Sequence, residues 1–424
     1  MKVLHDLHIE PGRLQKQLRE LGEFGRNERG GLDRTTFTPA ELAARDWLKN
    51  QLRELGLDVR VDAAANIWAR REGADPALPV IAFGSHIDTV PNGGLYDGAL
   101  GVLIALEVMR VLDEQGVRTR HPLELVSFSA EEPNPFGLST FGSRSVAGRL
   151  KREQIEGVRD DKGRPLDVAL REAGGDPERL EQARRQPHEL AAFLEVHIEQ
   201  GKRLLKRDIP VGIVTAITGI YREEVTVYGQ ANHAGTTLMN DRQDALMAAS
   251  EMMLAFESVC RDHPSDEVVG TVGKIANYPN AANIIPEKVV FHLEARGKSQ
   301  GEIRQVIDAW QGRLEAIEQM RNCRVERRVV LDQAPESMDP DIVDLCTEKA
   351  RALGYESFHL GSMAGHDATH MSSLTRAGML FVPSIDGKSH CPEEESRIED
   401  IEKAANVLLN AIVSLDEMLD RMLD

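Results

Sequence analysis

Cysteine is scarce in this chain. Its 424 residues include four cysteines, far apart in sequence, and no two form a Cys-x-x-Cys pair. A disulfide framework or a thiolate zinc site requires more numerous or closely spaced cysteines. The sequence therefore argues against both, and we interpret Cys260, Cys323 and Cys346 as packing residues.

Long hydrophobic runs are also missing. No stretch reaches the roughly 18 apolar residues that a membrane-spanning helix requires. The opening residues, from Met1 to Asp6, lack the apolar segment of a secretory signal peptide. We therefore expect a cytoplasmic protein.

Basic residues are outnumbered by acidic ones. The chain has 51 Lys and Arg against 69 Asp and Glu, which gives a formal net charge of -18. This charge repels nucleic-acid phosphates and anionic membrane surfaces. We therefore expect neither nucleic acid nor a membrane as a partner.

Several familiar catalytic and nucleotide-binding motifs are absent. The sequence has no Gly-x-Ser-x-Gly nucleophile elbow, no phosphate-binding loop and no Gly-x-Gly-x-x-Gly fingerprint. It also contains no internal repeat or low-complexity linker. These absences argue against a serine nucleophile and against a nucleotide cofactor.

The length and hydrophobic pattern predict an α/β fold of two to three domains. Residues 11–25 and 39–56 have the spacing of amphipathic helices, as do residues 101–115. Apolar runs at 79–83, 123–129 and 192–197 are typical of buried strands. Open α/β sheets place their sites beyond the carboxyl ends of such strands.

A different pattern begins near residue 211. Alternating strands are predicted at 223–228, 268–276 and 288–295, with helices at 241–260 and 300–321. Helix and strand alternation returns after about residue 330, with a helix at 339–353, a strand at 378–383 and a terminal helix from Glu399. The pattern indicates an α+β unit inserted in the first domain.

Polar side chains able to bind a metal follow the first predicted strand. His86 comes directly after the apolar run at 80–83, and Asp88 lies two residues further on. A metal-binding imidazole usually has a carboxylate or carbonyl on its other nitrogen, so Asp88 is a candidate orienting partner. Asp97 lies among glycines, and its two oxygens could bridge two ions. A polar surface turn is the alternative interpretation.

Two glutamates follow the second predicted strand. Glu131 and Glu132 are adjacent, and neighbouring residues of an extended chain point in opposite directions. The pair can therefore divide into one general base and one metal ligand. Pro133 helps to keep Glu132 extended. The alternative interpretation, and the more common case for a Glu-Glu dipeptide, is two solvent-exposed glutamates.

Two further histidines follow apolar runs. His197 ends the third predicted strand, and His390 follows the run at 379–382. Three histidines, one Asp and one Glu make a nitrogen and oxygen ligand set that suits zinc, manganese or cobalt. Cys391 is interpreted as a bystander beside His390.

The inserted unit carries three weaker candidates, His233, Asn283 and Arg296. Each is more often a structural residue than a functional one. Arg296 gains meaning if the substrate bears a carboxylate, because guanidinium binds carboxylate through two parallel hydrogen bonds.

Taken in order, these residues resemble the two-metal aminoacylase and carboxypeptidase G type of peptidase and amidohydrolase. The resemblance is greater to the branch of N-carbamoyl-L-amino-acid hydrolases and allantoate amidohydrolases. It covers almost the whole chain, and the segments that carry it are residues 84–101, 142–144, 195–201, 210–215, 233–237, 283–286 and 364–368.

The resemblance implies two divalent metal ions. It assigns His86 and His197 to one ion, Glu132 and His390 to the other, and Asp97 to both. It further implies that Glu131 is the general base and that the other contacts to the substrate come from Gln200, His233, Asn283 and Arg296.

The resemblance also implies a domain organisation. A mixed-sheet catalytic domain with helices on both faces would comprise residues 1–211 and 330–424. Residues 212–329 would form an α+β lid that also mediates dimerisation. In such homodimers His233 and Asn283 reach the active site of the partner subunit.

The chain departs from the branch at a few positions. Pro133-Asn134-Pro135 follows Glu132, where glycine and then arginine are common. Leu238 replaces a usual proline, and Glu294 replaces a common aspartate. Cys391 follows the last proposed ligand. None of these positions is a proposed ligand or the base, but the departure at 133–135 concerns the pocket wall near the base and puts the choice of substrate in question.

The function expected from sequence is hydrolysis of the ureido C–N bond of an N-carbamoyl-L-amino acid. The substrate would be a small molecule with ureido and carboxylate groups. Allantoate amidohydrolase is the nearest alternative, and a dipeptidase or aminoacylase would use the same metal centre. A non-catalytic binding protein on the same fold is a further alternative, and it predicts the loss of a ligand or of the base.

Overall fold

The computed structural model describes residues 7–423. The residues from Met1 to Asp6, which lack the apolar segment of a signal peptide, lie outside the described residues. Within the described part, no helix is long and apolar enough to cross a membrane. The chain divides into two compact units. The first comprises the residues up to Thr215, Ser337–Leu360 and the residues from His366 onward, and the second comprises Ala216–Glu336 and Gly361–Gly365.

Within residues 7–423 the larger sheet has nine strands. They are β1 (Asp58–Val61), β2 (Ile67–Arg71), β3 (Val80–His86), β4 (Leu123–Phe128), β5 (Leu190–Ile198), β6 (Val211–Ile217), β11 (Glu336–Ser337), β12 (Ser357–Ser362) and β13 (Arg376–Val382). Their order is β1-β2-β4-β3-β5-β13-β6-β11, and β12 pairs with β6.

Four parallel strands form the centre of this sheet. β3 runs parallel to β4 and to β5, and β13 runs parallel to β5. Every residue of β3 and β4 is buried. Continuous apolar strands of this kind are typical of a sheet covered on both faces. The carboxyl ends of all four strands lie at one edge, and the loops that follow them start there.

Nine helices of the described chain belong mainly to the first unit. They are α1 (Pro11–Leu21), α2 (Pro39–Glu54), α3 (Ala99–Glu114), α4 (Phe141–Val146), α5 (Leu166–Glu172), α6 (Arg203–Arg207), α9 (Pro340–Ala352), α10 (Ala368–Met371) and α11 (Ile398–Leu423). Helix α3 packs on β3 and β5 and contacts α1 and α11. It is hydrophobic almost all round, as expected for a buried helix.

The second unit is an antiparallel sheet with two helices. Its strands are β7 (Gly219–Tyr228), β8 (Val269–Tyr278), β9 (Lys288–Gly297) and β10 (Arg324–Gln333), and its helices are α7 (Ala245–Arg261) and α8 (Gln300–Arg321). The strand order is β10-β7-β9-β8. Buried and partly exposed residues alternate along β9, which indicates a sheet with one covered face. Phe256 and Trp310 of the helices pack in its core.

The predicted fold class is confirmed, because a large mixed sheet with helices is accompanied by a separate antiparallel sheet. One predicted helix start was wrong. The helix expected from residue 241 begins at Ala245, since the Asp244 side chain caps it by accepting the N–H groups of Leu246 and Met247. The strands β1, β2, β6, β10, β11 and β12 were not predicted.

Candidate metal centre

Five side chains named as candidate ligands from sequence converge at the carboxyl edge of the central strands. They form two groups that share Asp97: His86, Asp97 and His197, and Asp97, Glu132 and His390. Asp97 Oδ1 lies 3.6 Å from His86 Nε2 and 3.1 Å from His197 Nε2. Asp97 Oδ2 lies 3.2 Å from His390 Nε2, which is also 3.2 Å from Glu132 Oε1.

These distances fit metal coordination. Tetrahedral bonds of about 2.0–2.1 Å place neighbouring ligand atoms about 3.4 Å apart. The four separations between donors range from 3.1 to 3.6 Å. Imidazole nitrogens and carboxylate oxygens are ligands that zinc, manganese and cobalt accept. The two groups therefore have the donor chemistry and the spacing of metal sites.

Backbone carbonyls orient two of the imidazoles. His86 Nδ1 is 3.0 Å from the carbonyl oxygen of Asp88, and His197 Nδ1 is 3.0 Å from that of Ile198. A proton on each Nδ1 leaves Nε2 with a lone pair that can accept a hydrogen bond or bind a metal ion. The Gly98 N–H donates to His197 Nε2 at 3.2 Å, which agrees with this tautomer.

Asp88 supports the glutamate pair more directly than it supports His86. The Asp88 carboxylate is 3.6 Å from His86 Nδ1, whereas the Asp88 backbone carbonyl oxygen is 3.0 Å from the same nitrogen. The carboxylate accepts the backbone N–H groups of Glu131 and Glu132, each at 3.2 Å, and the Thr36 hydroxyl at 2.9 Å. Asp88 thus fixes the loop that carries both glutamates.

The two glutamates point to different partners. Glu131 Oε2 lies 3.6 Å from His86 Nε2, whereas Glu132 Oε1 faces His390. Burial raises the pKa of the Glu131 carboxyl well above its usual value; the charge of His86 opposes this rise, and that of Glu132 adds to it. A raised pKa suits a group that must accept and then return a proton.

The cluster favours positive charge. Burial by itself would raise the pKa of Asp97, but the His197 and His390 imidazoles lower it well below its usual value. Hydrogen bonds to Asp97 and Glu132 raise the pKa of His390 to about 10. Convergent carboxylates that hold protons on neighbouring imidazoles also attract a cation.

Two residues that support this cluster were not identified from the sequence. Glu394 accepts the backbone N–H of Asp97, and Ser389 donates its hydroxyl to Asp97 Oδ2. Burial and the Asp97 charge raise the pKa of Glu394 to about 7. The one sequence signal for Glu394 is its position four residues after His390.

A buried histidine just before α10 and a buried glutamate on β5 were also given no role. The His366 ring packs on His197 with centroids 4.5 Å apart. Glu195 accepts the Ala368 N–H at 3.0 Å and the Ser85 hydroxyl at 2.7 Å. These contacts join the segment at 364–368 to the strands that carry two of the candidate ligands.

The residues predicted to contact substrate lie in different parts of the chain. Gln200 Nε2 donates to Asp97 Oδ2 at 2.8 Å. His233 and Asn283 lie in the second unit, where the N–H of Ala234 donates to the Asn283 carbonyl at 3.0 Å. Arg296, on β9, donates through Nε to Glu294 at 2.6 Å and through Nη1 to the Met363 carbonyl at 2.9 Å. Their roles stay predictions.

Comparisons with known proteins agree with this architecture. A profile of the peptidase family M20/M25/M40 matches residues 82–414. The N-carbamoyl-L-amino acid amidohydrolase of Geobacillus stearothermophilus is 42% identical, over 96% of this chain and 99% of the relative. The allantoate amidohydrolase of Bacillus subtilis is 35% identical, over 93% and 95%.

A solved structure gives the same result. The hydantoinase/carbamoylase family amidase from Burkholderia ambifaria superposes with a TM-score of 0.90 at 32% identity, and the match covers 97% of this chain and 98% of the other. The resemblance predicted from sequence is confirmed. The chain therefore belongs to the peptidase family M20/M25/M40, a family of metal-dependent enzymes, and is a hydrolase that acts on amides.

Proposed function

We propose that this enzyme hydrolyses the carbamoyl C–N bond of N-carbamoyl-L-amino acids. One water is consumed, and the products are the amino acid, ammonia and carbon dioxide. The observation that carries the proposal is the position of Asp97, whose two oxygens face two separate groups of ligand atoms beside the buried Glu131. The relatives named N-carbamoyl-L-amino acid amidohydrolase support this substrate class.

The proposed cofactor is a pair of divalent ions, zinc, manganese or cobalt. His86 and His197 would hold one ion, Glu132 and His390 the other, and Asp97 both. Such a pair, when bound, makes water more acidic and polarises a carbonyl oxygen, which a resonance-stabilised ureido group requires.

Glu131 would act as the general base. Its carboxylate would take a proton from the attacking water and return it to the leaving nitrogen. Two features support this role: its backbone is fixed by Asp88, and its burial raises its pKa. Glu131 lies beside His86, a proposed ligand of one ion, but it belongs to neither group of ligand atoms.

The substrate carboxylate would be held by Arg296, Asn283 and Gln200. A guanidinium matches a carboxylate through paired hydrogen bonds, which fixes the position of the ureido carbonyl. His233 would stabilise the oxyanion as the carbonyl is attacked. Residues 212–329 would form the lid and the dimer interface, with His233 and Asn283 delivered by lid closure or by the partner subunit.

Allantoate is the alternative substrate, because it also presents ureido and carboxylate groups and because the relative from Bacillus subtilis is named for it. A panel assay separates the two. Protein freed of metal with a chelator would be reconstituted with zinc, manganese or cobalt and assayed for ammonia release from N-carbamoyl-L-amino acids and allantoate, and for dipeptide cleavage.

The proposal predicts the highest kcat/KM on an N-carbamoyl-L-amino acid. Faster hydrolysis of allantoate or of a dipeptide would move the enzyme to that alternative class. Failure to bind any of the three metals would contradict the metal centre itself.

A further inference from the structure

Glu394 is a buried acid close to Asp97. It is 5% exposed, and within residues 7–423 no lysine or arginine forms an ion pair with it. A buried carboxylate is costly unless other donors compensate it. Its position therefore calls for a structural reason.

Its hydrogen bonds supply that reason. Oε1 accepts the backbone N–H of Tyr96 at 2.7 Å and that of Asp97 at 2.9 Å. Oε2 lies 3.1 Å from the Ser389 hydroxyl. All three groups belong to the two loops that carry Asp97 and His390, so Glu394 ties these loops together.

Ser389 closes a ring around Asp97. Its Oγ lies 2.8 Å from Asp97 Oδ2, while Glu394 holds the Asp97 backbone N–H. Asp97 is thus contacted at its main chain and at its carboxylate by two side chains that also contact each other. Such a ring restricts rotation of the Asp97 carboxylate.

The backbone of both loops allows Glu394 to lie close to them. A Cβ on Gly94 would lie 2.3 Å from Glu394 Cδ, so any other residue at 94 would displace the carboxylate. His390 has a φ of 57°, a left-handed conformation that is unfavourable for residues other than glycine. The adjacent Ser389 contacts Glu394 through its hydroxyl.

We propose that Glu394 is a positioning residue that orients Asp97 so that one oxygen serves each ligand group. The inference rests on the proposed two-metal function. In this role Glu394 acts through the geometry of its hydrogen bonds, and its negative charge is not required.

Two substitutions separate geometry from charge. In Glu394→Gln the amide oxygen can still accept both backbone N–H groups, and the amide nitrogen can donate to Ser389, which leaves the serine proton for Asp97. In Glu394→Met the side chain has similar length but no hydrogen bonds. Glu393→Met is the matched control, because Glu393 is the exposed neighbour.

The measurements are manganese and cobalt affinity of the metal-free protein, bound metal per chain, and the visible absorption of the cobalt form. We expect Glu394→Met to weaken binding at one or both sites by about 10- to 100-fold, as is typical for residues that support metal ligands. Glu394→Gln and Glu393→Met should remain close to the wild type. If Glu394→Met does not fold, Ser389→Ala should show the loss instead.

The proposal would be overturned if Glu394→Met folds and binds metal as tightly as the wild type. If Glu394→Met does not fold, wild-type affinity in Ser389→Ala would overturn it. Equal weakening in Glu394→Gln would show that charge is what matters and would also overturn it. A wild-type protein that binds two metals but releases no ammonia from any tested substrate would contradict the proposed function and leave the positioning role supported by the metal data.

Discussion

Asp88 holds Glu131 through its backbone: the Asp88 carboxylate accepts the Glu131 N–H at 3.2 Å. The same carboxylate accepts the N–H of Glu132. One buried acid therefore sets the position of both the proposed base and a proposed metal ligand.

Asp88→Asn should reduce turnover by about 10- to 100-fold, because an amide has one acceptor oxygen and its NH2 group would face the second N–H. Steady-state kinetics would measure this loss, and circular dichroism would verify folding. Asp113→Asn, an exposed change on α3, is the control and should have no effect. Unchanged turnover in Asp88→Asn would contradict the role of its carboxylate.

Glu131→Gln should bind metal normally but lose about 10²- to 10⁴-fold in kcat, the usual contribution of a general base. The amide retains the shape of the side chain but cannot take a proton. Metal content per chain and kcat are the two measurements. Near wild-type turnover with full metal occupancy would show that another group is the base.

Gly98→Ala should impair metal binding. Its Cβ would lie 2.2–2.4 Å from three atoms of the His86 imidazole. Gly116→Ala is a matched control, since both glycines have a φ of 63° but a Cβ at Gly116 meets nothing within 4 Å. Both variants should also lose stability from the positive φ, roughly 1 kcal/mol in Gly116→Ala and more in Gly98→Ala, because the ψ of Gly98 is -50° and lies outside the left-handed helical region. Equal metal affinity in the two variants would contradict the steric argument.

Metal affinity should rise with pH below about pH 10. Asp97 and Glu132 raise the pKa of His390 to about 10 in the metal-free site, so at neutral pH an ion must displace the proton from Nε2. Each displaced proton adds about tenfold in affinity per pH unit.

Competition titrations at pH 6, 7 and 8 would measure the slope, and calorimetry in two buffers would count the protons released. His390→Asn removes one of the titrating groups and should lower the slope. His86 and His197 would still release protons, because burial lowers their pKa values less than the nearby carboxylates raise them. A wild-type affinity that does not change with pH would contradict the prediction.

Arg13→Ala should destabilise the first unit. Arg13 Nη2 and Nε donate to the buried Glu107 carboxylate on α3 at 2.7 and 2.8 Å. Removing the guanidinium leaves the Glu107 charge buried and unpaired, which should lower the free energy of unfolding by roughly 3 kcal/mol. This value is at the lower end for a broken buried pair, because Arg13 is partly exposed.

Urea denaturation would measure the change in the free energy of unfolding. Adding Glu107→Gln to Arg13→Ala should restore part of the loss, because the uncompensated charge is gone. Lys16→Ala, an exposed change on the same helix, should cost little. A similar loss in Lys16→Ala would assign the effect to the helix instead of the ion pair.

Much of the fold was predictable from local pattern. Buried apolar runs marked β3, β4, β5 and β13, because both faces of these strands are covered and their residues cannot alternate with polar ones. The strands β1 and β10 were missed. They lie at the sheet edges, and partly exposed residues alternate along much of their length, so they lack a continuous apolar run.

The candidate site was predictable for a similar reason. Parallel strands bring their carboxyl ends to one edge, so polar residues after several such strands were expected to meet. The structure does bring His86, Asp97, Glu132, His197 and His390 together. Their action as ligands stays a prediction until metal is measured.

By itself, the sequence determined the kinds of ligand available and the strands and loops that carry them, because residue type and hydrophobic period are local properties of the chain. Only the tertiary structure decided that Asp88 supports the glutamates, that Gln200 contacts Asp97, and that Glu394 holds the Asp97 main chain from 297 residues away. Hydrogen bonds between such distant residues depend on how the loops pack, and no local pattern encodes that packing.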